Sequence, residues 1–412
     1  MSEVLAIDVA VIGGGPAGLA AAMALREAGV ARVVVFERET SAGGIPRHCG
    51  HPPFGLREFN RVLTGPQYAK RLAEAAKAAG VEIRLRHSIT RLGAGGMLDV
   101  ASPEGAIAVT AKRVILATGV RETPRSARLI GGDRPQGIVN TGALQAYTYL
   151  EHLQPFRRPV IIGTELVAFS ALLTCRKAGM RPVAMIEAND RVTARWPIAW
   201  APRIFGVPLL LSTQLAEIRG RTQVESVLVK GPHGPREIAC DGVILSGCFQ
   251  PASELVRGSH LALDPGSGGP VVDQIGRCSD AAYFAAGNLL RAVETAGWSW
   301  REGRRVGTDV ARDIVSPAET PARQVTIEHA PPIKLVVPQR LTFPAKGEGI
   351  TDYIQLRVSA AVSGDLVVHA GGQRVWRQRI SALPERRILI PLSALPVPAD
   401  AATLRISIDQ AD

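Results

Sequence analysis

Cysteine is scarce and unpaired: Cys49, Cys175, Cys240, Cys248 and Cys278 are scattered, with no two in a CxxC pair. That excludes a full disulfide framework and a cysteine zinc cluster, and it points to a reducing, cytoplasmic setting without a metal site. Aromatics make up only 5% of the 412 residues and never interleave with a basic run, so nucleic acid is not an expected partner. No apolar run approaches the roughly 18 residues of a membrane span, and the N-terminus lacks the basic and cleavage regions of a signal peptide. Lysine is sparse as well, at seven residues, so the net charge of +11 rests on arginine. Clusters such as Arg301, Arg304 and Arg305, or Arg374, Arg377 and Arg379, read as solvated faces or as a docking surface for an acidic partner. With 46% hydrophobic and 21% charged residues the chain is globular, and its length suggests two or three domains.

Glycine is abundant, 42 residues without a regular period, so the glycines belong to particular turns. The first of these follows a short apolar strand, Asp8–Ile12, as Gly13-Gly-Gly-Pro-Ala-Gly18, and opens an alanine-rich helix. A second strand, Arg32–Phe36, ends at Glu37. This is GxGxxG in the context that gives it meaning. Gly13 allows the tight turn, Gly15 lets backbone approach a pyrophosphate, and Gly18 lets helix and strand pack closely. The diphosphate then meets the N–H groups at the helix start, around Pro16 and Ala17. Glu37, with Arg38 beside it, stands where a carboxylate accepts from ribose hydroxyls.

Two later segments identify the dinucleotide. One is Arg113–Gly119, which closes on Ala117-Thr118-Gly119; the other is Ala281–Asn288, which ends on Gly287-Asn288. In this order the three motifs resemble the pyridine nucleotide-disulfide oxidoreductase superfamily over about residues 5–315. The resemblance implies FAD, held by these residues together with Gly44 and Arg47. Asn288 replaces the usual Asp, and an amide still serves a ribityl hydroxyl. It also implies a helix starting near Thr295 with its N-terminus toward the flavin pyrimidine, where Glu294 or Thr295 supplies an N–H. Trp298 and Trp300 follow, as cavity wall or as core.

The middle of the chain repeats the plan. Pro159–Gly163 leads into a helix over Leu166–Lys177, Pro182–Ile186 ends at Glu187, and Gly242–Gly247 echoes the first closing turn. In the family this domain holds NAD(P)H. Here Glu165 replaces the second glycine of the loop, adding a Cβ and a carboxylate where a diphosphate would lie. Two like charges about 4 Å apart repel by roughly 4 kcal/mol at a protein surface. Either nicotinamide binding is lost or the loop shifts to keep it.

In the disulfide reductases of this superfamily a CxxxxC pair follows the first FAD unit. The equivalent stretch, Gly43–Gly55, has Cys49 alone among Arg47, His48 and His51, so no dithiol forms. His48, Cys49 and His51 are the candidate catalytic residues, with a histidine as base near neutral pH or Cys49 as a single-cysteine redox site. The other reading is that these groups cap loops and bind FAD phosphate. Lacking nicotinamide and dithiol, the chain looks like FAD subunits of multi-component dehydrogenases such as hydrogen cyanide synthase, opine oxidase and the sarcosine oxidase alpha subunit. That likeness implies a partner subunit with an iron–sulfur cluster or second flavin, since no cysteine follows Cys278 to ligate a cluster here.

The expected fold is α/β: two three-layer, Rossmann-like dinucleotide-binding domains and a small C-terminal all-β sandwich. FAD-binding residues are 1–125 and 253–318, the degenerate NAD(P)-binding-like domain is 126–252, a linker is 319–332, and the sandwich is 333–412. The tail carries no constellation for chemistry and reads as a docking or oligomerisation module, or as a passive lid. The leading functional expectation is a dehydrogenase moving hydride from a small amine, amino acid or hydroxy acid to FAD. The alternatives are an NAD(P)H-dependent reductase of a small redox protein, and a non-catalytic electron-relay or scaffold subunit.

Overall fold

A computed structural model of the chain describes residues 4–316, 323–343 and 353–410. It divides into two units, one of residues 1–44, 69–120 and 251–412, the other of residues 45–68 and 121–250.

The first unit is built on a seven-stranded sheet. Strand Leu5–Ile12 is buried almost throughout and lies parallel to Val33–Glu37 on one side and Gly105–Leu116 on the other. Tyr283–Ala285 joins Gly105–Leu116 in parallel, and an antiparallel pair, Met97–Ser102 and Ser88–Leu92, completes the far edge. Continuous Val/Ile runs suit parallel strands covered on both faces. Helix α1 (Pro16–Glu27) owes its depth to alanine: its residues from Ala17 to Leu25 are all buried. A second long helix packs across it, with Gly303 and Gly307 against Ala17 and Ala21, where an added Cβ would fall 2.1 and 2.4 Å from backbone oxygen.

The second unit contains a five-stranded parallel sheet in the order Leu209–Leu210, Ala184–Ile186, Pro159–Ile162, Gly242–Leu245, Ile138–Asn140. Helix α2 (Leu166–Lys177) supplies Phe169, Leu172 and Cys175 to its core. A separate four-stranded sheet runs over Gly131–Gly132, Gln214–Arg219, Ser226–Gly231 and Gly234–Ala239. Residues 45–68, expected in the FAD-binding domain, belong here instead. Gly50 lies so close to the Tyr149 ring that a Cβ would fall 2.1 Å from it, and Cys49 O accepts the Gly65 N–H at 3.0 Å.

The C-terminal strands form a five-stranded and a three-stranded sheet around a core that includes Val325, Ile354, Leu356, Leu366, Leu404 and Ile406. The expected linker is corrected in part: Arg323–His329 is a strand paired in parallel with Thr403–Gln410, and residues 319–322 lie outside the described residues. The sandwich is also not loosely tethered. In strand Ile333–Val337, Ile333 and Val336 face the sandwich core, whereas Leu335 and Val337 join the core of the flavoprotein sheet. A strand buried on both faces fixes its domain in place.

Candidate functional site

The parallel register brings the dinucleotide motifs of the first unit to one edge. Ile12 stands level with Phe36 and Leu116, and Leu116 with Ala285. Gly13, Glu37, Ala117 and Gly287 therefore all leave the carboxyl ends of adjacent strands, where open α/β sheets bind ligands. Backbone bonds lock the edge: Gly13 N–H to Phe36 O, Ala117 N–H to Ile12 O and Ala286 N–H to Leu116 O, at 2.9–3.0 Å.

The loop geometry follows from its glycines. Gly13 has φ +110°, a conformation that side chains disfavour, and a Cβ on Gly18 would sit 1.9 Å from Gly13 O. Gly15 caps α1 without any side-chain bond, and a Cβ there would meet only Gly44 Cα, at 3.9 Å. The space over Gly15 and the uncapped N–H groups at the start of α1 are what a diphosphate requires. Buried Glu37 accepts from Gly14 N–H at 2.8 Å and Glu39 N–H at 2.9 Å, which fixes the carboxylate at the loop. Arg38 is exposed and pairs with Glu39 at 3.5 Å. Thr118 donates to Ala252 O at 2.8 Å, anchoring the Ala117–Gly119 turn. The chain thus offers FAD its phosphate loop, ribose acid and closing turns.

Beyond Gly287 the contacts differ from expectation. Asn288 turns both amide atoms to Glu294: its oxygen accepts Glu294 N–H at 2.6 Å, and its nitrogen donates to Glu294 O at 3.0 Å. The Glu294 N–H, expected at the cofactor, and the Glu294 carboxylate are both engaged within the protein. The carboxylate takes Arg357, Arg387 and Gln355. Thr295 does cap the next helix, α3 (Ala296–Val315), without a side-chain bond. Glu302, from the first turns of α3, accepts Gly287 N–H at 2.7 Å and pairs with buried Arg291 at 2.8 Å.

The residues expected to be catalytic lie in the second unit, around α2. His51 Nε2 is 2.6 Å from Ser170 Oγ, and its Nδ1 is 2.9 Å from Pro52 O. A carbonyl can only accept, so Nδ1 carries a proton, and Nε2 is left facing the Ser170 hydroxyl. Gln145 donates to Ser170 at 2.6 Å, and its oxygen faces Cys49 Sγ at 3.4 Å. Burial first, and then the charge of Glu122, push the Cys49 thiol up to about 12. A thiol so held stays neutral near pH 7, against its expected role as a redox nucleophile. His48 is buried, and Arg47 lies within the same short helical turn, Ile45–His48.

The altered nicotinamide loop is filled by its own acid. A Cβ on Gly163 would fall 2.6 Å from Glu165 Oε2, and one on Gly247 2.7 Å from Glu165 Oε1. Ser246 Oγ donates to the same carboxylate. Glu165 thus lies between the two turns that would receive a diphosphate, and burial pushes its pKa upward. Nearby Glu122 accepts from Gly142 N–H at 2.7 Å and Gly247 N–H at 3.2 Å. Burial, with a smaller contribution from Glu165, pushes Glu122 up to about 7 against the pull of the Gly142 N–H and Arg128. Glu187 repeats the Glu37 arrangement, taking Thr164 Oγ1 and, at 2.9 Å, Asn189 N–H.

Sequence reasoning placed Glu165 but passed over Glu122, Gln145, Ser170, Ser246, Arg357 and Arg387. Glu122 had a local signal, close after the Ala117–Gly119 turn; Gln145, Ser170 and Ser246 are single polar residues in apolar surroundings, and Arg387 ends a charged run, Glu385-Arg386-Arg387. Among the described residues no three His, Cys, Asp or Glu could hold a metal, and no helix is long and apolar enough to cross a membrane.

Known proteins share this plan. The sarcosine oxidase subunit alpha of Rhizobium meliloti (strain 1021) is 27% identical over 314 residues, covering 70% of this chain but only 28% of that protein. The thioredoxin reductase of Peptoclostridium acidaminophilum is 27% identical over 309 residues, 70% of this chain and 92% of the reductase. In three dimensions the T. acidophilum thioredoxin reductase superposes with a TM-score of 0.64 at 22% identity, covering 76% of this chain and 99% of the reductase, a likeness of fold. The pattern of the pyridine nucleotide-disulphide oxidoreductases runs from residue 7 to residue 303, through both parallel sheets, and the chain belongs to that family of FAD-dependent oxidoreductases.

Proposed function

We propose that the chain is the FAD-bearing part of a dehydrogenase that takes a hydride from a small amine, amino acid or hydroxy acid and passes the electrons to a separate redox partner. The observation that carries this reading is the Glu165 carboxylate set between Gly163 and Gly247, in the space a nicotinamide dinucleotide needs. A flavoprotein without that source and without a dithiol must be reduced by its own substrate. FAD, when bound, accepts the hydride as an electron pair. The substrate also gives up a proton, and His51, whose Nε2 faces Ser170 Oγ at 2.6 Å, is the candidate group to receive it. The names of relatives such as sarcosine oxidase subunit alpha support an amine-type substrate and a companion subunit; an iron–sulfur cluster or second flavin in that companion is part of the proposal. Five free cysteines fit a reducing, cytoplasmic setting.

A second reading, an NAD(P)H-dependent reductase of a small redox protein, is favoured by the complete parallel sheet of the second unit and its retained Glu187. Anaerobic titration separates the two. The dehydrogenase reading expects no flavin bleaching by NADH or NADPH and bleaching by a member of a panel of amines, amino acids and hydroxy acids. Rapid bleaching by either nicotinamide rejects it.

A further inference from the structure

The sandwich reaches into the flavoprotein at one buried carboxylate. Gln355 and Arg357, two apart on strand Tyr353–Val358, share a face of the three-stranded sheet, and Arg387 immediately precedes the neighbouring strand Ile388–Pro391. All three converge on Glu294, whose side chain is only 10% exposed. Gln355 Nε2 and Arg357 Nη2 reach Oε1 at 2.8 and 2.9 Å, while Arg387 Nη1 reaches Oε2 at 3.0 Å. Arg357 also donates to Val293 O at 2.9 Å. The Arg387 guanidinium lies over the Trp298 ring, 3.8 Å from its centroid, in the first turn of α3.

The segment held in this way borders the dinucleotide loop. The Glu294 backbone exchanges two bonds with the Asn288 side-chain amide, Gly287 abuts Ala17 of α1 so closely that a Cβ would fall 2.7 Å from the Ala17 Cβ, and Gly303 packs on Ala17 O. A chain of contacts therefore runs from the sandwich through Glu294 and Asn288 to the helix that receives the diphosphate. The two guanidinium groups also place positive charge, partly buried, next to the segment between strand end and α3. Positive charge there favours reduced over oxidised flavin, because reduction adds negative charge.

We propose that Arg357 and Arg387 are positioning residues for the flavin: the C-terminal sandwich clasps Glu294, sets the Gly287–Thr295 turn and α3 against the FAD site, and raises the readiness of the bound flavin to accept electrons. The clasp gives the sandwich a role inside the chain, distinct from docking, and it rests on the chain being a flavoprotein.

The test uses the full-length holoprotein. FAD affinity comes from titrating apoprotein with FAD, and the reduction potential from equilibration with a reference dye. R357M and R387M are each expected to weaken FAD binding roughly tenfold. Each is also expected to shift the preference for reduced flavin by about tenfold, a fall near 30 mV for a two-electron couple. R387K, which retains the charge over Trp298, is expected to recover most of the potential. R377M removes an exposed ion pair to Asp365 in the other sheet of the sandwich and is expected to change neither quantity. Wild-type affinity and potential in both methionine variants would overturn the proposal, and so would an equal shift in R377M. Should either methionine variant fail to fold, E294Q, read in the same two assays, decides the matter: unchanged affinity and potential overturn it. Failure of wild-type apoprotein to take up FAD refutes the flavoprotein reading itself, a separate outcome.

Discussion

Glu122 keeps its proton more tightly in the folded chain than in the unfolded one, because burial outweighs the N–H groups that favour its anion. With its value raised from 4.5 to about 7, the associated stability is fully present below about pH 4.5 and is lost as pH rises through 7. The whole effect is worth about 3 kcal/mol at most, at 1.36 kcal/mol per pH unit. Thermal melting is expected to fall between pH 5 and pH 8, and E122Q to flatten that dependence without abolishing it, since buried Glu165 and Asp309 are shifted in the same direction. An E122Q melting curve with the wild-type slope contradicts the assignment. The histidine and cysteine of the neighbouring loop should separate as well. H51Q is expected to slow flavin reduction by substrate at least about a hundredfold, within the range for a lost general base, while FAD content stays unchanged. C49S, with the thiol already held neutral, is expected to stay within about threefold in the same stopped-flow measurement.

At the scale of the element, the loop entering α2 is a dinucleotide turn occupied by its own side chain. E165G removes both the Cβ and the carboxylate between Gly163 and Gly247, and it is expected to tighten NADH binding at least tenfold in a fluorescence titration. A variant no better than wild type shows that more than this acid closes the loop. The first dinucleotide turn was legible in the sequence because its rules are local: Gly13, Gly15, Gly18 and Glu37 fall at fixed spacing between a strand and a helix. The same spacing exposed the misfit at Glu165. The strand at Tyr353–Val358 was legible from its alternation, and that at Thr403–Gln410 as far as Ile408, whereas Arg323–His329 was concealed by the Pro-rich stretch around it. Glu294 was singled out for the cofactor, yet its N–H and its carboxylate are engaged within the protein. Its partners stand 61 to 93 positions away, and nothing in a local pattern reports a pairing made by tertiary structure.

For the molecule as a whole, the sandwich is part of the flavoprotein. Leu335 and Val337 complete its core, and Gln339 and Thr342 bond to Val272 and Gln274 at 2.8–3.1 Å. Removing residues 323–412 is therefore expected to give a protein that binds little FAD and melts well below the full chain, as read by flavin absorbance and calorimetry. A truncated protein with full flavin content and unchanged melting would show the sandwich to be detachable. The net charge of +11 bears on the electron partner: with an acidic acceptor, the association rate should fall steeply as ionic strength rises past the point where the screening length is about 10 Å.

The parallel pairing of Arg323–His329 with Thr403–Gln410 has a consequence for the ribosome. Thr326 and its partner Thr403 are 403 − 326 = 77 residues apart, so the first strand of the sandwich waits for its neighbour while the rest is translated. At roughly 5–20 residues per second that wait lasts about 4–15 s. Over that interval the flavoprotein sheet exists without its clasp. The nascent chain can form its phosphate loop early, but a lasting hold on the cofactor comes only once Thr403–Gln410 has been made and paired.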